Sequence, residues 1–147
     1  MKQINGLIES VLELLREDQQ CIGYRFVSAY PDKTVQNPVE QAIVSVGLSS
    51  LTIRQSALGE VIGRGQTTFQ TGRQADWELH IHIYAPRSLG GKGCYDIFSA
   101  IAAALLERQN EWKIGDMSCG KTSYNRDTRT FVLEGFVQLT TLMKDGV

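Results

Sequence analysis

The chain has 147 residues, of which 15 are basic and 16 acidic, so its formal net charge is −1. This length suits a single domain over residues 1–147 whose core needs no metal or disulfide support. The balanced charge gives no global field that would favour nucleic acid, an anionic membrane or an acidic substrate, so we expect no direct nucleic-acid recognition. Three cysteines without a CxxC pair predict reduced thiols rather than a disulfide framework or a zinc knuckle.

The N-terminal segment predicts a helix followed by a strand. Apolar residues recur at three- and four-residue spacing over residues 3–18, with charges on the other side, which is typical of an amphipathic helix and unlike a signal peptide. A period of two from Ile22 to Phe26 then predicts a strand that ends at the turn Tyr30–Lys33. Because no apolar run approaches the roughly 18–20 residues needed to cross a bilayer, we expect a soluble protein.

Two segments in the middle of the chain predict long strands. The apolar residues of 41–53 change parity, so we expect a β-bulge within 47–50 that switches the face and bends the strand. Apolar and polar residues alternate from Trp77 to Tyr84 until Pro86 ends the run, which is the clearest strand pattern in the chain.

The segment between these strands, residues 54–76, is polar and glycine-containing and has no apolar periodicity. Structureless connections beyond roughly 12–15 residues are commonly binding loops or disordered segments. We therefore expect a loop that orders on contact with a partner, with contact residues Arg54, Glu60, Arg64 and Arg73.

The C-terminal half predicts one helix and two strands. A glycine-rich connection over 88–93 precedes an amphipathic helix over 97–110. Strands are predicted over 112–124 and 128–142, joined by the polar hairpin connection 125–127.

This order of elements predicts an α+β fold. We expect an antiparallel or mixed sheet of about five strands, two helices packed on one face, and a long loop between strands two and three. The last strand alternates between two sets of side chains. If Phe131, Leu133, Val137 and Leu139 face the helices, Val132 and Phe136 point outward. Both would then suit an intersubunit surface.

The string Gly115–Thr122 satisfies the GxxxxGK[ST] pattern of P-loop nucleotide-binding proteins. That mechanism requires a helix after the loop, because the helix N-terminus supplies aligned N–H groups to the phosphates. Residues 123–142 predict a turn and a strand instead. Nucleotide binding is therefore the less favoured alternative.

Two histidines form the other candidate for chemistry. His80 and His82 project from one face of a strand, as a metal pair requires, with Glu78 and Tyr84 in line. The chain has no third histidine, so we favour a polar sheet face or a subunit contact over a metal site. No cysteine or acidic pair stands out as a catalytic group. We expect no enzyme activity, no cofactor and no metal.

Three short signatures accompany the order of elements: Tyr30–Lys33 with Asn37–Pro38 and Ala42–Leu48; Trp77–Pro86 with Tyr95–Phe98; and Ser118–Lys121 with Ser123–Tyr124 and Thr128–Leu133. With these signatures the whole chain resembles the tail terminator, or tail completion, proteins of long-tailed bacteriophages and prophages.

The resemblance implies a subunit of a hexameric ring at the head-proximal end of the tail tube, part of the virion and present in the host cytoplasm during assembly. Such a ring ends tube polymerisation and offers a surface to the head connector or stopper protein, without catalysis and without a membrane. A cyclic ring joins two different surfaces of each subunit. We assign these contacts to Arg54, Glu60, Arg64, Arg73, Val132 and Phe136. Another head–tail joining protein, such as a head-completion or stopper subunit, stays open as an alternative.

Overall fold

The structure is a computed structural model that describes residues 2–28, 41–55, 72–107, 112–127 and 129–144. These residues form two α-helices and a six-stranded mixed sheet, which confirms the predicted α+β fold. In chain order the elements are α1 (Lys2–Glu17), β1 (Arg25–Ser28), β2 (Ile43–Gln55), β3 (Gly72–Pro86), α2 (Gly90–Glu107), β4 (Lys113–Cys119), β5 (Ser123–Asn125) and β6 (Thr130–Lys144). Short 3-10 turns precede β1 and α2.

The strands lie in the order β1-β2-β3-β6-β4, and β5 pairs with β6 on the same side as β4. Only β1 and β2 are parallel among the described pairs. The strand predicted over 112–124 is therefore wrong as one element, because it is interrupted at residues 120–122. There the backbone N–H of Gly120 still donates to the carbonyl of Glu134 in β6 at 3.0 Å, but that of Thr122 donates to the Tyr95 hydroxyl of α2 at 3.2 Å.

The core lies between the helices and one face of the sheet. Most of the core side chains that the sheet contributes come from alternating positions of β3 and β6. Four of them are completely buried: Leu79, Ile81, Ile83 and Leu133. Helix α1 packs on β1 and β2, α2 packs on β3 and β6, and the helices touch each other. Burying one such aliphatic side chain contributes roughly 1.5–3 kcal/mol, so this face is the main source of stability.

The predicted bulge in β2 is confirmed. The register pairs Leu48 with Leu79 and Ser50 with Glu78, which leaves Ser49 as the extra residue. Because the bulge absorbs this extra residue, Leu51 lies on the core side opposite Trp77 although its parity differs from that of Leu48.

The predicted start of the first strand is wrong. The strand begins at Arg25, and Ile22 lies in a turn with 66% of its surface exposed. The side chain of Asp18 accepts a hydrogen bond from the backbone N–H of Gln20 at 2.9 Å and caps a 3-10 turn. This local cap outweighs the period-two pattern. The predicted end at Tyr30–Lys33 lies outside the described residues.

The glycine-rich connection predicted over 88–93 is also wrong in part, because α2 already begins at Gly90. Gly90 has φ 69°, which glycine adopts without strain. A Cβ at Gly93 would lie 2.7 Å from the Cβ of Leu89. The glycines therefore allow a sharp turn and a close approach at the start of the helix, whose last described residue is Glu107.

The loop predicted over 54–76 is too long at both ends. Strand β2 continues to Gln55 and β3 begins at Gly72, with Arg54 paired to Gln74. Polar strand ends facing solvent show no apolar periodicity, although their backbones pair normally. Residues 56–71, between the two strands, lie outside the described residues.

One described segment, Arg87–Glu107, is long and apolar enough to span a membrane by length and composition alone. It packs on β3 and β6 and buries Ile97, Ile101 and Leu105. A core helix meets the same criterion.

Candidate functional site on the open face of the sheet

The sheet face opposite the helices carries the even-numbered side chains of β3 and β6, and we call it the open face. Neither described helix packs on it, because the helices cover the odd-numbered residues of these strands. Phe98 of α2, for example, lies over Gly135. Most of its β3 and β6 side chains are half-buried by their neighbours. It has two chemically different halves, a polar groove and a histidine cluster.

Three of the six predicted contact residues lie on the open face. Val132 and Phe136 point away from the helices, as predicted, and Arg54 lies on the same face of β2. Arg73 is exposed on β3 but has the opposite parity, so its side chain does not belong to the open face. The remaining two, Glu60 and Arg64, lie outside the described residues. The structure therefore brings together only part of the predicted set.

The polar groove is a depression of about 340 Å³ between β2, β3, β4 and β6. Its central group is Asp76, whose carboxylate forms an ion pair with Arg54. The same carboxylate accepts hydrogen bonds from Gln74 Nε2 at 3.1 Å and from Thr140 Oγ1 at 2.9 Å. These hydrogen bonds, that of Arg54 foremost, hold the pKa of Asp76 below its usual range.

Replacing this carboxylate gives a pH-dependent prediction. We expect Asp76→Asn to lower the free energy of unfolding at neutral pH, and we expect the difference from the wild type to shrink in acid. The folded-state pKa of Asp76 lies below the unfolded value of 3.8. Its contribution is therefore complete above that value and is lost as the pH falls through the lowered folded-state pKa. Urea unfolding across the acid range measures the difference.

Asp116→Asn is the matched control, because it removes an exposed carboxylate from β4. We expect it to change stability little at any pH. A loss for Asp76→Asn that is equally large in acid and at neutral pH would mean that the ionised carboxylate is not what stabilises the groove.

The histidine cluster occupies the other half of the open face. The rings of His80 and His82 lie with centroids 4.0 Å apart, so the predicted alignment on one face is confirmed. Glu134 of β6 lies directly opposite His82, with its Oε1 3.0 Å from His82 Nε2. The other oxygen, Oε2, is 3.9 Å from His80 Nε2. The ring of Phe136 stacks on His80 with a centroid separation of 4.7 Å.

His80 is held toward its neutral form. Its Nε2 is shielded from solvent and has no hydrogen-bond partner in the described part of the chain. Partial burial lowers the pKa of His80 below its usual 6.5, and the nearby charge of His82 lowers this pKa further, against smaller opposing effects of Glu134 and Glu78. A neutral imidazole has one ring nitrogen with a free lone pair. His80 can therefore act as a ligand near neutral pH.

Glu134 is the site residue that sequence reasoning missed. Glu78 is the carboxylate that the sequence pattern aligns with the two histidines, but it accepts a hydrogen bond from Ser49 Oγ at 3.0 Å. The alternating pattern of β6 does indicate that Glu134 lies on the same face as Val132 and Phe136. Only the register between β3 and β6 places it opposite His82.

Two of the three cysteines, Cys21 and Cys94, do not have the surroundings of an activated nucleophile. All three are free thiols, and Cys21 and Cys94 are buried. Burial raises the pKa of both, and the nearby charge of Asp18 helps to raise that of Cys21 to about 11. A protonated thiol is a poor nucleophile and a poor metal ligand. The third, Cys119, is exposed on β4.

The string Gly115–Thr122 does not have the surroundings of a P-loop. Its first five residues lie in β4 beside β6, and the element after it is the strand β5 rather than a helix. A backbone extended along a neighbouring strand cannot wrap around a phosphate.

No family model matches the chain, and no curated protein matches it either.

Proposed function

We propose that this protein is a tail terminator of a long-tailed bacteriophage or prophage: a ring subunit that caps the head-proximal end of the tail tube. The observation that carries the proposal is the open face, where half-buried Val132 and Phe136 lie on a sheet surface that neither described helix covers. Apolar and aromatic side chains on such a surface suit burial against another protein.

The chain-wide signatures and the α+β architecture support the same proposal, because the resemblance implies a small α+β subunit with this order of elements. In a ring, each subunit presents two different surfaces to its neighbours. The open face is one of them, and the partners are further copies of this chain, the tail tube protein and the head connector or stopper protein. The role is structural, in the virion after assembly in the host cytoplasm, and involves no catalysis.

Deleting the gene from its phage or prophage tests this function. We expect negative-stain electron microscopy to show tails of irregular and excessive length beside filled heads without tails, because tube polymerisation then has no stop. Tails of normal length beside unattached heads would place the protein on the head side of the joint, as a head-completion or stopper subunit. Normal virions would refute a role in assembly.

A substitution on the open face connects this phenotype to the surface. We expect Val132→Asp to fail to restore normal tails in the deletion strain, because a charge at an apolar contact is costly to bury. Ile22→Asp is the control, because Ile22 is 66% exposed in the turn before β1. Circular dichroism of both purified variants checks that they fold. If folded Val132→Asp complements as well as Ile22→Asp does, the open face is not the contact surface.

A further inference from the structure

The histidine cluster has the geometry of an incomplete metal site. His80, His82 and Glu134 each offer one ligand atom, and the three atoms lie within 4.8 Å of one another. In a tetrahedral zinc site with bonds of about 2.0–2.1 Å, ligand atoms are separated by roughly 3.3 Å. The distance of 3.0 Å from Glu134 Oε1 to His82 Nε2 is already shorter than that. The wider separations, none of them above 4.8 Å, must shorten toward that value through side-chain rotation for all three atoms to bind one ion.

Glu134 is the ligand whose side chain has the most freedom to rotate. The side chain of Glu134 is 58% exposed, whereas those of His80 and His82 are 22% and 23% exposed. The two rings contact each other at a tilt of 49°, His80 stacks on Phe136, and His82 lies parallel to the ring of Tyr84. Such contacts favour a metal site, because ligands that are already in position lose little conformational entropy on binding.

The unpartnered nitrogen of His80 provides a second, independent observation. A shielded polar atom without a hydrogen bond costs free energy, and such atoms are uncommon in native structures. A cation between the two rings and Glu134 would bind this nitrogen and replace the hydrogen bond that it lacks. The carboxylate, now next to two imidazoles, would also neutralise part of the ion's charge.

We propose that His80, His82 and Glu134 form a binding site for a divalent transition-metal ion of the zinc type. Two imidazole nitrogens and one carboxylate oxygen are donors that Zn²⁺ accepts readily, and magnesium or calcium would favour an all-oxygen site. Three protein ligands leave one position of a tetrahedral ion open to water or to a further ligand. This inference does not depend on the tail terminator proposal.

Isothermal titration of untagged protein with ZnCl₂ tests the site. We expect saturable binding of one ion per chain and an increase in the melting temperature, because the ion binds the folded state. His82→Gln and Glu134→Gln each remove one ligand with little change in size. Loss of a residue that only supports a ligand typically weakens metal binding 10- to 100-fold, so we expect at least about a hundredfold for a ligand itself.

Glu78→Gln is the matched control. It removes a carboxylate from the same strand and the same face, two residues from His80, but one that bonds to Ser49 rather than to the histidines. We expect its zinc affinity to equal that of the wild type. Circular dichroism without metal checks that all variants fold. No saturable binding by the wild type, or equal affinity for the wild type and the two ligand variants, would overturn the proposal.

Discussion

Leu79→Ala is expected to lower the free energy of unfolding by about 3 kcal/mol, within the 2–5 kcal/mol typical of such truncations. Leu79 has no exposed surface and lies in β3 between Leu48 of β2 and Val137 of β6. Strands on both sides and helices above limit how far the surroundings can collapse into the cavity. The free energy of unfolding therefore loses both the burial of the removed methyl groups and the cost of the cavity that remains. Urea unfolding at neutral pH measures the change.

Leu142→Ala is the control for this truncation. It removes the same atoms from a leucine on β6 that is 58% exposed. We expect a change within about 0.5 kcal/mol. If the two variants lost equal stability, the sheet face under the helices would not be the main core, and the assignment of the opposite side as the open face would fail with it.

Gly135→Ala is expected to cost about 1–2 kcal/mol, even though alanine is normally better than glycine in a strand by roughly 0.5–1 kcal/mol. A Cβ at this position would lie 2.5 Å from Cε2 of Phe98 and 3.2 Å from the carbonyl oxygen of Ser118. The ring must move away from the sheet, and the cost of overpacking, typically 1–3 kcal/mol, exceeds the gain in propensity. Thermal and urea unfolding measure the net effect.

A double-mutant cycle isolates the cause. Phe98→Leu removes the ring edge that meets the new methyl group, so Gly135→Ala should cost clearly less in that background. Gly120→Ala is the control, because a Cβ there has no neighbour within 4 Å, and we expect it to be close to neutral. An undiminished cost in the Phe98→Leu background would mean that contact with the Ser118 carbonyl, or the backbone itself, causes the loss.

Gly135 also relates the core to the site, because it separates Glu134 from Phe136 in the sequence. A shift of β6 at Gly135 would move the carboxylate that faces His82 and the ring that stacks on His80. The close approach of α2 to the sheet therefore lies directly behind the histidine cluster, on the other side of β6.

Where apolar periodicity is strong, the sequence alone was sufficient to predict the fold. The alternation from Trp77 to Tyr84 predicted β3, and the parity change after Leu48 predicted the bulge. Both patterns arise from burial of one sheet face, and burial is the largest energy term in these segments. The period-two pattern around Ile22 predicts a strand, but a local cap competes with it. The side chain of Asp18 caps a 3-10 turn at little cost to the chain, so Ile22 lies in a turn.

The site was harder to predict than the fold because its parts are distant in the sequence. His80 and His82 are two residues apart on one strand, so their common face follows from strand geometry. The distance in sequence from His82 to Glu134 is 52 residues. Register across such a separation depends on the whole path of the chain, and the three residues do not form a recognisable local motif. The polar ends of β2 and β3 were missed for a related reason, since solvent-facing pairs such as Arg54 and Asp76 show no apolar pattern.

The bulge at Ser49 has a geometric consequence for the open face. If Ser49 were absent, Leu48 and Ser50 would be consecutive, and every later residue of β2 would keep the face it has now. The core therefore does not require the extra residue. What Ser49 adds is a bend, since bulges increase local twist. The bend falls where β2 passes from Gly47, opposite His80, to Ser50 on the wall of the polar groove. The two halves of the surface are thus tilted in different directions, and one flat partner would meet them at different angles.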